Sequence, residues 1–200
     1  MPSVYQLKPA FQNLLRPITR GLARIGITAN QVTILAALIS AVAGGLIVLH
    51  SPAIWTYFLV PAVLFVRMAL NAIDGMLARE HNMKTGLGTF LNELGDVFSD
   101  SMLYLSFAWF PGIPLWPLFG VVLLSVISEM TGVVAIQTGA ERRYDGPMGK
   151  SDRAVLFGGI ALALGFGVPV GPWEMWVLIG ANFLLLVTIA NRVHRALKRI

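Results

Sequence analysis

Acidic and amide side chains recur at helical spacing in two neighbouring segments of the sequence. In the first segment Asn71 precedes Asp74 by three residues, and in the second Asn92 precedes Asp96 by four. Residues at these separations share one face of a helix. Two helices that turn such faces toward each other gather carboxylate and amide oxygens, which Mg²⁺ and Mn²⁺ prefer as ligands. The pattern therefore predicts a divalent-cation site, and the absence of cysteine from the sequence disfavours zinc.

The segments that carry these residues are apolar enough to cross a membrane. The chain is 56% hydrophobic and 12% charged, whereas soluble domains carry about 25% charged residues. A membrane-spanning helix needs about 20 mostly apolar residues, and the sequence offers six such stretches. The predicted spans are residues 31–49, 54–77, 88–109, 115–137, 154–170 and 174–191. We therefore expect an all-α, polytopic membrane protein with six transmembrane helices.

The distribution of lysine and arginine predicts the orientation of these helices. Both residue types occur before the first span, in the polar connections 78–87 and 138–153, and after the last span, but in none of the other three connections. The positive-inside rule places these basic segments, and with them both termini, in the cytoplasm. Apolar residues at helical spacing over residues 4–25, interleaved with arginines, predict an interfacial amphipathic helix. We expect one domain, with an interfacial segment over 1–29 and a six-helix bundle over 30–200.

Ionisable residues also occur inside the predicted spans. Each charge at mid-membrane costs about 2.5–3.5 kcal/mol on insertion scales, so Arg67, Asp100 and Glu129 need a compensating role. We predict a structural ion pair between Arg67 and a carboxylate of a neighbouring span, with Asp100 as the preferred partner and Glu129 as the alternative. Asn182, in the last span, is expected to satisfy its amide against a neighbouring helix.

The residues of the predicted cation site also form a longer motif. Residues 71–79 read NAIDGMLAR, and Gly88, Asn92 and Asp96 follow. This resembles the signature of the CDP-alcohol phosphatidyltransferase family, D-x2-D-G-x2-A-R-x8-G-x3-D-x3-D, with matching spacing throughout. Asn71 and Asn92 replace the first and third aspartates, as in a bacterial branch of the family that the chain resembles. The similarity extends to TANQVT at residues 28–33 and to the Gly-Lys pair at 149–150.

The resemblance implies a metal-dependent enzyme of phospholipid biosynthesis. It would transfer a phosphatidyl group from CDP-diacylglycerol to an alcohol and release CMP, with Asp96 as general base. One or two Mg²⁺ or Mn²⁺ ions would be bound by Asp74 and Asp96, with the amides of Asn71 and Asn92. The resemblance also suggests a homodimer, and we expect a multi-pass protein of the bacterial inner membrane. The expected substrate-binding residues are Thr33, Gly75, Ala78, Arg79, Gly88, Lys150 and Arg153.

Two other functions are compatible with the same residues. A catalytically impaired relative would bind CDP-lipid without turnover, and a small transporter would use the buried carboxylates as a proton or cation path. The acceptor alcohol is not determined by the motif. The basic residues of the connection 138–153 mildly favour a phosphorylated acceptor, although such residues also serve as topology determinants at anionic lipid surfaces.

Overall fold

The computed structural model describes residues 7–198, and within this range all regular secondary structure is helical. Short 3₁₀ helices extend the fourth helix over Ser106–Trp109 and the fifth over Ala135–Thr138. The all-α prediction is thus confirmed for the described residues, while residues 1–6 of the predicted interfacial segment lie outside them. The α-helices are α1 (Leu7–Arg24), α2 (Ala29–His50), α3 (Ile54–Glu80), α4 (Gly86–Leu105), α5 (Leu115–Val134), α6 (Lys150–Gly165) and α7 (Pro172–Leu197).

Four helices within the described residues are long and apolar enough to cross a membrane. They are α2, α3, α7, and α5 together with its 3₁₀ extension. The predicted third and fifth spans correspond to α4 and α6, which differ from the others for identifiable reasons. Helix α4 carries Glu93, Asp96 and Asp100, and α6 has only 16 residues. The chain is therefore a helical membrane protein, whereas the six-span topology and the cytoplasmic termini stay predictions.

Several helix boundaries differ from those expected from hydropathy, and two of the differences have a clear cause. Helix α6 begins at Lys150 rather than at 154, because the Asp152 carboxylate accepts a hydrogen bond from the Gly149 amide at 2.8 Å and caps its first turn. Helix α7 continues to Leu197 rather than stopping at 191. Its extra turns bury Arg192 and Ala196 on the face that also buries Thr188, so tertiary packing supports a helix that hydropathy alone ends.

The chain divides into two compact units, and the division falls within α2, α3 and α4. The first unit comprises Met1–Ala41 and Val63–Ser99, and the second comprises Val42–Ala62 and Asp100–Ile200. The single-domain organisation expected from the sequence stays a prediction. A cluster of buried residues in the first unit comprises Leu15, Ala29, Val32, Ile73, Met76 and Leu77.

Helix α1 packs against α3 in the first unit. Leu15 is buried in the same cluster as Ile73 of α3, and the Arg16 guanidinium donates to the Glu80 carboxylate at 2.9 and 3.2 Å. The neighbouring Leu14 is 73% exposed, against 7% for Leu15. A helix is thus present where the sequence predicts one, and Leu15 and Phe11 of its apolar residues pack against the first unit's core and against Phe65 of α3; its location in the membrane interface stays a prediction.

In the second unit α5 and α7 lie side by side. The Asn182 amide donates to the Pro117 carbonyl of α5 and to the Leu178 carbonyl of α7, both at 2.8 Å, which confirms the expected interhelical hydrogen bond. The loop before α6 also packs on α7. A Cβ at Gly146 would lie 2.5 Å from Thr188 Cγ2, and the φ of +126° at this position favours glycine.

Candidate active site

The site on α3 begins with a buried carboxylate held by α2. Asp74 is 5% exposed, and its Oδ2 accepts a hydrogen bond from the Thr33 hydroxyl at 2.8 Å. The same hydroxyl lies 3.1 Å from the Ala29 carbonyl one turn earlier in α2. The Thr33 methyl also faces α4, since a Cβ at Gly95 would lie in ordinary contact with it at 3.7 Å. Thr33 therefore fixes the orientation of the Asp74 carboxylate.

A second contact joins α3 to α4. The Asn71 amide nitrogen donates to Asp96 Oδ1 at 3.3 Å, and Arg67 Nη2 lies 4.0 Å from the same oxygen. Arg67 is 3% exposed, whereas the Asp96 side chain is 26% exposed. The two helix faces that the sequence predicts to meet therefore do meet, through Asn71 and Asp96. The ion pair of Arg67 with Asp100 stays a prediction.

Two motif glycines lie where a side chain would be obstructed. A Cβ at Gly75 would come within 3.0 Å of the Arg79 guanidinium, which folds back over this position. Half-buried Ala78 lies between Gly75 and Arg79 in the motif. A Cβ at Gly88 would lie 2.6 Å from Asn30 Oδ1, so Gly88 allows α4 to begin close to α2. This contact gives Gly88 a role in helix packing, and its expected role in substrate binding stays a prediction.

The start of α4 is fixed by a threonine outside the motif. The Thr85 hydroxyl oxygen accepts hydrogen bonds from the Gly88 amide at 2.8 Å and from the Asn30 amide at 3.3 Å. Asn92 follows one turn after Gly88 and is exposed, one turn before Asp96. The α4 half of the motif therefore presents an exposed amide and a half-buried carboxylate.

An apolar groove of about 350 Å³ opens beside Thr33, within the first unit. Its walls come from α2 and α4, and its lining is almost wholly hydrocarbon. Thr33, whose hydroxyl holds Asp74, is therefore the one hydroxyl-bearing residue in an otherwise apolar lining. The groove is lined by Thr33, Ile34, Ala37, Leu38, Ala41, Leu87, Phe90, Leu91, Leu94, Gly95 and Phe98.

The donor atoms of the motif suit a hard divalent cation but are few. Among residues 7–198, no three histidine or acidic side chains are grouped in a way that could hold a metal. The motif offers two carboxylates, Asp74 and Asp96, with the amides of Asn71 and Asn92. Because Asn71 donates through its nitrogen, its carbonyl oxygen remains available as a ligand. An all-oxygen set with two negative charges fits Mg²⁺ or Mn²⁺.

The basic residues expected to bind substrate phosphate lie in the second unit. Lys150 is the half-buried first residue of α6. Arg153, one turn later, is 1% exposed and donates to Asp100 at 3.2 Å and to Glu129 at 3.0 Å. The guanidinium of Arg153 is therefore engaged by two carboxylates of its own chain.

A separate ion cluster organises the loop between α5 and α6. Asp145 accepts hydrogen bonds from Arg143 at 2.7 Å and from Arg195 of α7 at 2.8 Å. Burial by itself raises the pKa of Asp145, but the charges and hydrogen bonds of Arg143 and Arg195 outweigh this effect and hold its pKa below the usual value. The loop is thus tied to the end of α7 by a carboxylate that stays ionised at neutral pH.

Sequence reasoning did not identify Arg192 as more than a topology-setting cation. In the structure it is 1% exposed, and its guanidinium lies 3.6 Å from Glu129. The sequence contains a signal for this burial, because Arg192 continues a stripe of small and apolar residues at steps of three and four. That stripe, the buried face of α7, comprises Leu178, Ala181, Leu185, Thr188, Arg192 and Ala196.

Comparison with known proteins supports the motif-based interpretation. The family model described as CDP-alcohol phosphatidyltransferase matches residues 26–189. The inner membrane protein YnbA of Escherichia coli K12 is 42% identical over 98% of this chain and 96% of its own length. The phosphatidylinositol phosphate synthase of Mycolicibacterium smegmatis is 30% identical over 97% of this chain and 89% of its own length.

Solved structures share the fold. The Mycobacterium tuberculosis phosphatidylinositol phosphate synthase (PgsA1) with CDP-DAG bound superposes with a TM-score of 0.74 at 22% identity, covering 90% of this chain and 92% of that one. The same enzyme in complex with manganese and citrate gives a TM-score of 0.74 at 23% identity, covering 90% and 87%. The match over residues 26–189, with the motif on α3 and α4, leads to one conclusion: this chain belongs to the CDP-alcohol phosphatidyltransferase family.

Proposed function

We propose that this protein transfers a phosphatidyl group from CDP-diacylglycerol to an alcohol and releases CMP. The observation that carries the proposal is the meeting of α3 and α4 at the motif, where Asn71 donates to Asp96. Thr33 holds Asp74 on the same face of α3. Membership of the family supports the reaction class, and a solved structure of similar fold was determined with CDP-DAG bound.

Asp74 and Asp96 would hold a divalent cation, Mg²⁺ or Mn²⁺, with amide oxygens of Asn71 and Asn92 completing the set. When bound, such an ion neutralises the diphosphate of the nucleotide and stabilises the charge on the leaving CMP. The solved structure of similar fold with manganese supports this choice of metal. Two of the motif positions carry a carboxylate. Their two negative charges balance one divalent cation, so the motif favours one bound ion over two.

The chemical step requires a base, and Asp96 is the motif carboxylate that solvent reaches. In the proposed reaction its carboxylate takes the proton of the acceptor hydroxyl. The hydroxyl oxygen then bonds to the phosphorus of the phosphatidyl group, and the bond from that phosphorus to the oxygen shared with CMP breaks. CMP leaves with the bonding electrons. Asn71 and Arg67 contact the oxygen Oδ1 of Asp96, so they orient the base.

The donor lipid has a polar and an apolar part, and the first unit offers a place for each. The Arg79 guanidinium, folded over Gly75, is available to the nucleotide phosphates beside Ala78. The apolar groove that starts at Thr33 would take an acyl chain of CDP-diacylglycerol. This arrangement would keep the lipid tail in hydrocarbon while the diphosphate lies at Asp74 and Asp96.

The decisive experiment compares the purified wild type with Asp96→Asn. With CDP-diacylglycerol, Mn²⁺ and a panel of alcohols, we expect CMP release by the wild type and a loss of at least about 10²-fold in the variant, the usual contribution of a general base. Mass spectrometry of the lipid product would identify the headgroup. Equal rates for the two proteins would refute the role of Asp96.

Other outcomes distinguish the alternative functions. Nucleotide binding without CMP release across the whole panel would indicate an impaired relative, and cation flux into liposomes without CMP release would indicate a transporter. We further propose a homodimer and a location in the bacterial inner membrane with both termini cytoplasmic. The inner membrane relative in Escherichia coli supports that location.

A further inference from the structure

A buried cation of α3 lies beside the half-buried carboxylate of α4, and both belong to the first unit. Arg67 is 3% exposed, and its Nη2 lies 4.0 Å from Asp96 Oδ1. The Asn71 amide, one turn further along α3, donates to the same oxygen at 3.3 Å. Asp96 Oδ1 therefore faces one full positive charge and one neutral donor, both carried on a single face of α3.

Arg67 lies outside the family motif, which begins at Asn71, and its position in the chain is a costly one for a charge. The residues on both sides are apolar, since the chain reads VLFVRMAL over residues 63–70. A guanidinium stays protonated in proteins, and a charge in an apolar span is costly unless an opposite charge offsets it. The carboxylate beside Arg67 is that of Asp96, the proposed base and metal ligand. The permanent charge of Arg67 therefore acts on the site itself.

The charges of the motif leave little capacity for a second divalent cation. Asp74 and Asp96 contribute two negative charges, and the amides at the other two signature positions contribute none. Arg67 offsets one of these charges. Glu93 does not join the two aspartates as a third acidic ligand, because no three acidic side chains within residues 7–198 are grouped to hold a metal. A second divalent cation on Asp96 would be repelled both by the first cation and by the guanidinium.

We propose that Arg67 is a built-in cation that takes the place of a second divalent ion beside Asp96, so that this enzyme binds one divalent ion per chain. The inference rests on the proposed transferase function and deepens it. The site then carries one exchangeable positive charge, that of the metal, and one fixed charge, that of the guanidinium. Arg67 acts through Asp96 and is a positioning residue, whose charge also sets the affinity of the site for its metal.

The first test measures metal affinity rather than turnover. Mn²⁺ is titrated into detergent-solubilised full-length protein, and the free ion is measured by electron paramagnetic resonance for the wild type, Arg67→Met and Arg67→Lys. Loss of the fixed charge removes its repulsion of the metal, so Arg67→Met should bind Mn²⁺ at least about tenfold more tightly than the wild type. Arg67→Lys keeps the charge and should bind Mn²⁺ as the wild type does.

This sign separates the proposal from a purely structural role of Arg67. If the guanidinium only supported the fold or oriented Asp96, its loss would leave Mn²⁺ binding unchanged or weaken it. Mn²⁺ binding to Arg67→Met that is no tighter than binding to the wild type would therefore overturn the proposal. An equal gain of affinity in Arg67→Lys would also overturn it, because that variant retains the positive charge.

A second variant retains Arg67, so that the test does not depend on the folding of a chain that lacks it. Asn71→Asp combined with Asn92→Asp restores every carboxylate of the family signature, and the same titration counts the Mn²⁺ ions bound per chain. We expect one ion in this double variant, as in the wild type, and two ions when Arg67→Met is added. Two ions in the double variant or in the wild type would overturn the proposal.

CMP release from CDP-diacylglycerol separates this inference from the transferase function on which it rests. The wild type is assayed with Mn²⁺ and a panel of alcohols, and we expect CMP release with one Mn²⁺ bound per chain. CMP release by a wild type that binds two Mn²⁺ would overturn the role of Arg67 and leave the transferase function intact. One bound Mn²⁺ and tighter binding in Arg67→Met, without CMP release from any alcohol, would refute the transferase function and retain Arg67 as the fixed cation.

Discussion

Replacing Asn71 by aspartate tests the site most directly, because it restores the carboxylate that the family signature has at this position. In the structure the Asn71 amide donates to Asp96 Oδ1 at 3.3 Å. In Asn71→Asp the donor is lost and two carboxylates face each other across α3 and α4. Unless a cation lies between them, the two negative charges repel.

The size of the effect follows from this separation. Two unit charges 3.3 Å apart in an effective dielectric constant of about 20 repel by about 5 kcal/mol. The lost hydrogen bond adds about 1 kcal/mol. Arg67, 4.0 Å from Asp96, and proton uptake by the pair offset part of this, so we expect a net destabilisation of about 2–3 kcal/mol without metal. At about 2–4 °C per kcal/mol for a chain of this length, the melting temperature falls by about 5–10 °C.

A divalent cation should reverse the loss, because the new carboxylate is also a new ligand. A tenfold gain in affinity contributes about 1.4 kcal/mol at saturating metal, which corresponds to about 3–6 °C of additional stabilisation. The assay is thermal unfolding in detergent, with chelator and then with Mn²⁺, for the wild type, Asn71→Asp and Asn71→Ala. The alanine variant loses the hydrogen bond without gaining a charge. Its free energy of unfolding should fall by about 1 kcal/mol, and Mn²⁺ should raise its melting temperature no more than that of the wild type. A melting temperature of Asn71→Asp in chelator equal to that of the wild type would refute the reasoning, as would a metal response no larger than that of Asn71→Ala.

Three further perturbations have defined outcomes. Thr33→Val removes the hydroxyl that holds Asp74 and should lower the rate of CMP release about tenfold, the equivalent of one hydrogen bond, whereas Thr33→Ser should retain most of it. Leu15→Ala should cost about 2–4 kcal/mol of stability, and Leu14→Ala, at a 73% exposed position, should have little effect on thermal unfolding. Asp145→Asn should lower stability at pH 7 by at most about 1 kcal/mol. Because the folded-state pKa of Asp145 is below its usual value, this difference should begin to shrink as the pH falls below about 4, the ordinary aspartate pKa, and should be lost only as the pH falls through the lower folded-state pKa; a difference that does not shrink as the pH falls would contradict the assignment.

Local features of the sequence were sufficient for the candidate site on α3 and α4. Helical spacing places Asn71 and Asp74 on one face of their helix whatever surrounds it, and the motif spacing places Asp96 on the next. The contact of Asn71 with Asp96 agrees with that expectation. Hydropathy likewise located the helices, because an apolar stretch of sufficient length is a property of the segment itself.

Helix ends were less predictable because they depend on packing and on hydrogen bonds. Hydropathy ends the last span at residue 191, whereas burial of Arg192 and Ala196 carries α7 to Leu197. Similarly, the bond between Gly149 and Asp152 starts α6 before its apolar run begins. From the sequence alone, charged residues at the end of a helix are predicted to face solvent. Whether they are buried depends on the residues that pack against them in the tertiary structure.

The sequence by itself determined the family motif, the helical class and the faces that carry the carboxylate and amide groups of the motif, because each is set within a few turns of one segment. The tertiary structure alone decided which cation meets which carboxylate. Arg153 and Arg192 converge on Glu129 because the rotation of α5, α6 and α7 and the path of the loop bring them there. Residues so far apart in sequence are paired by long-range geometry that no local spacing encodes, and that pairing places the charges of both arginines against a carboxylate.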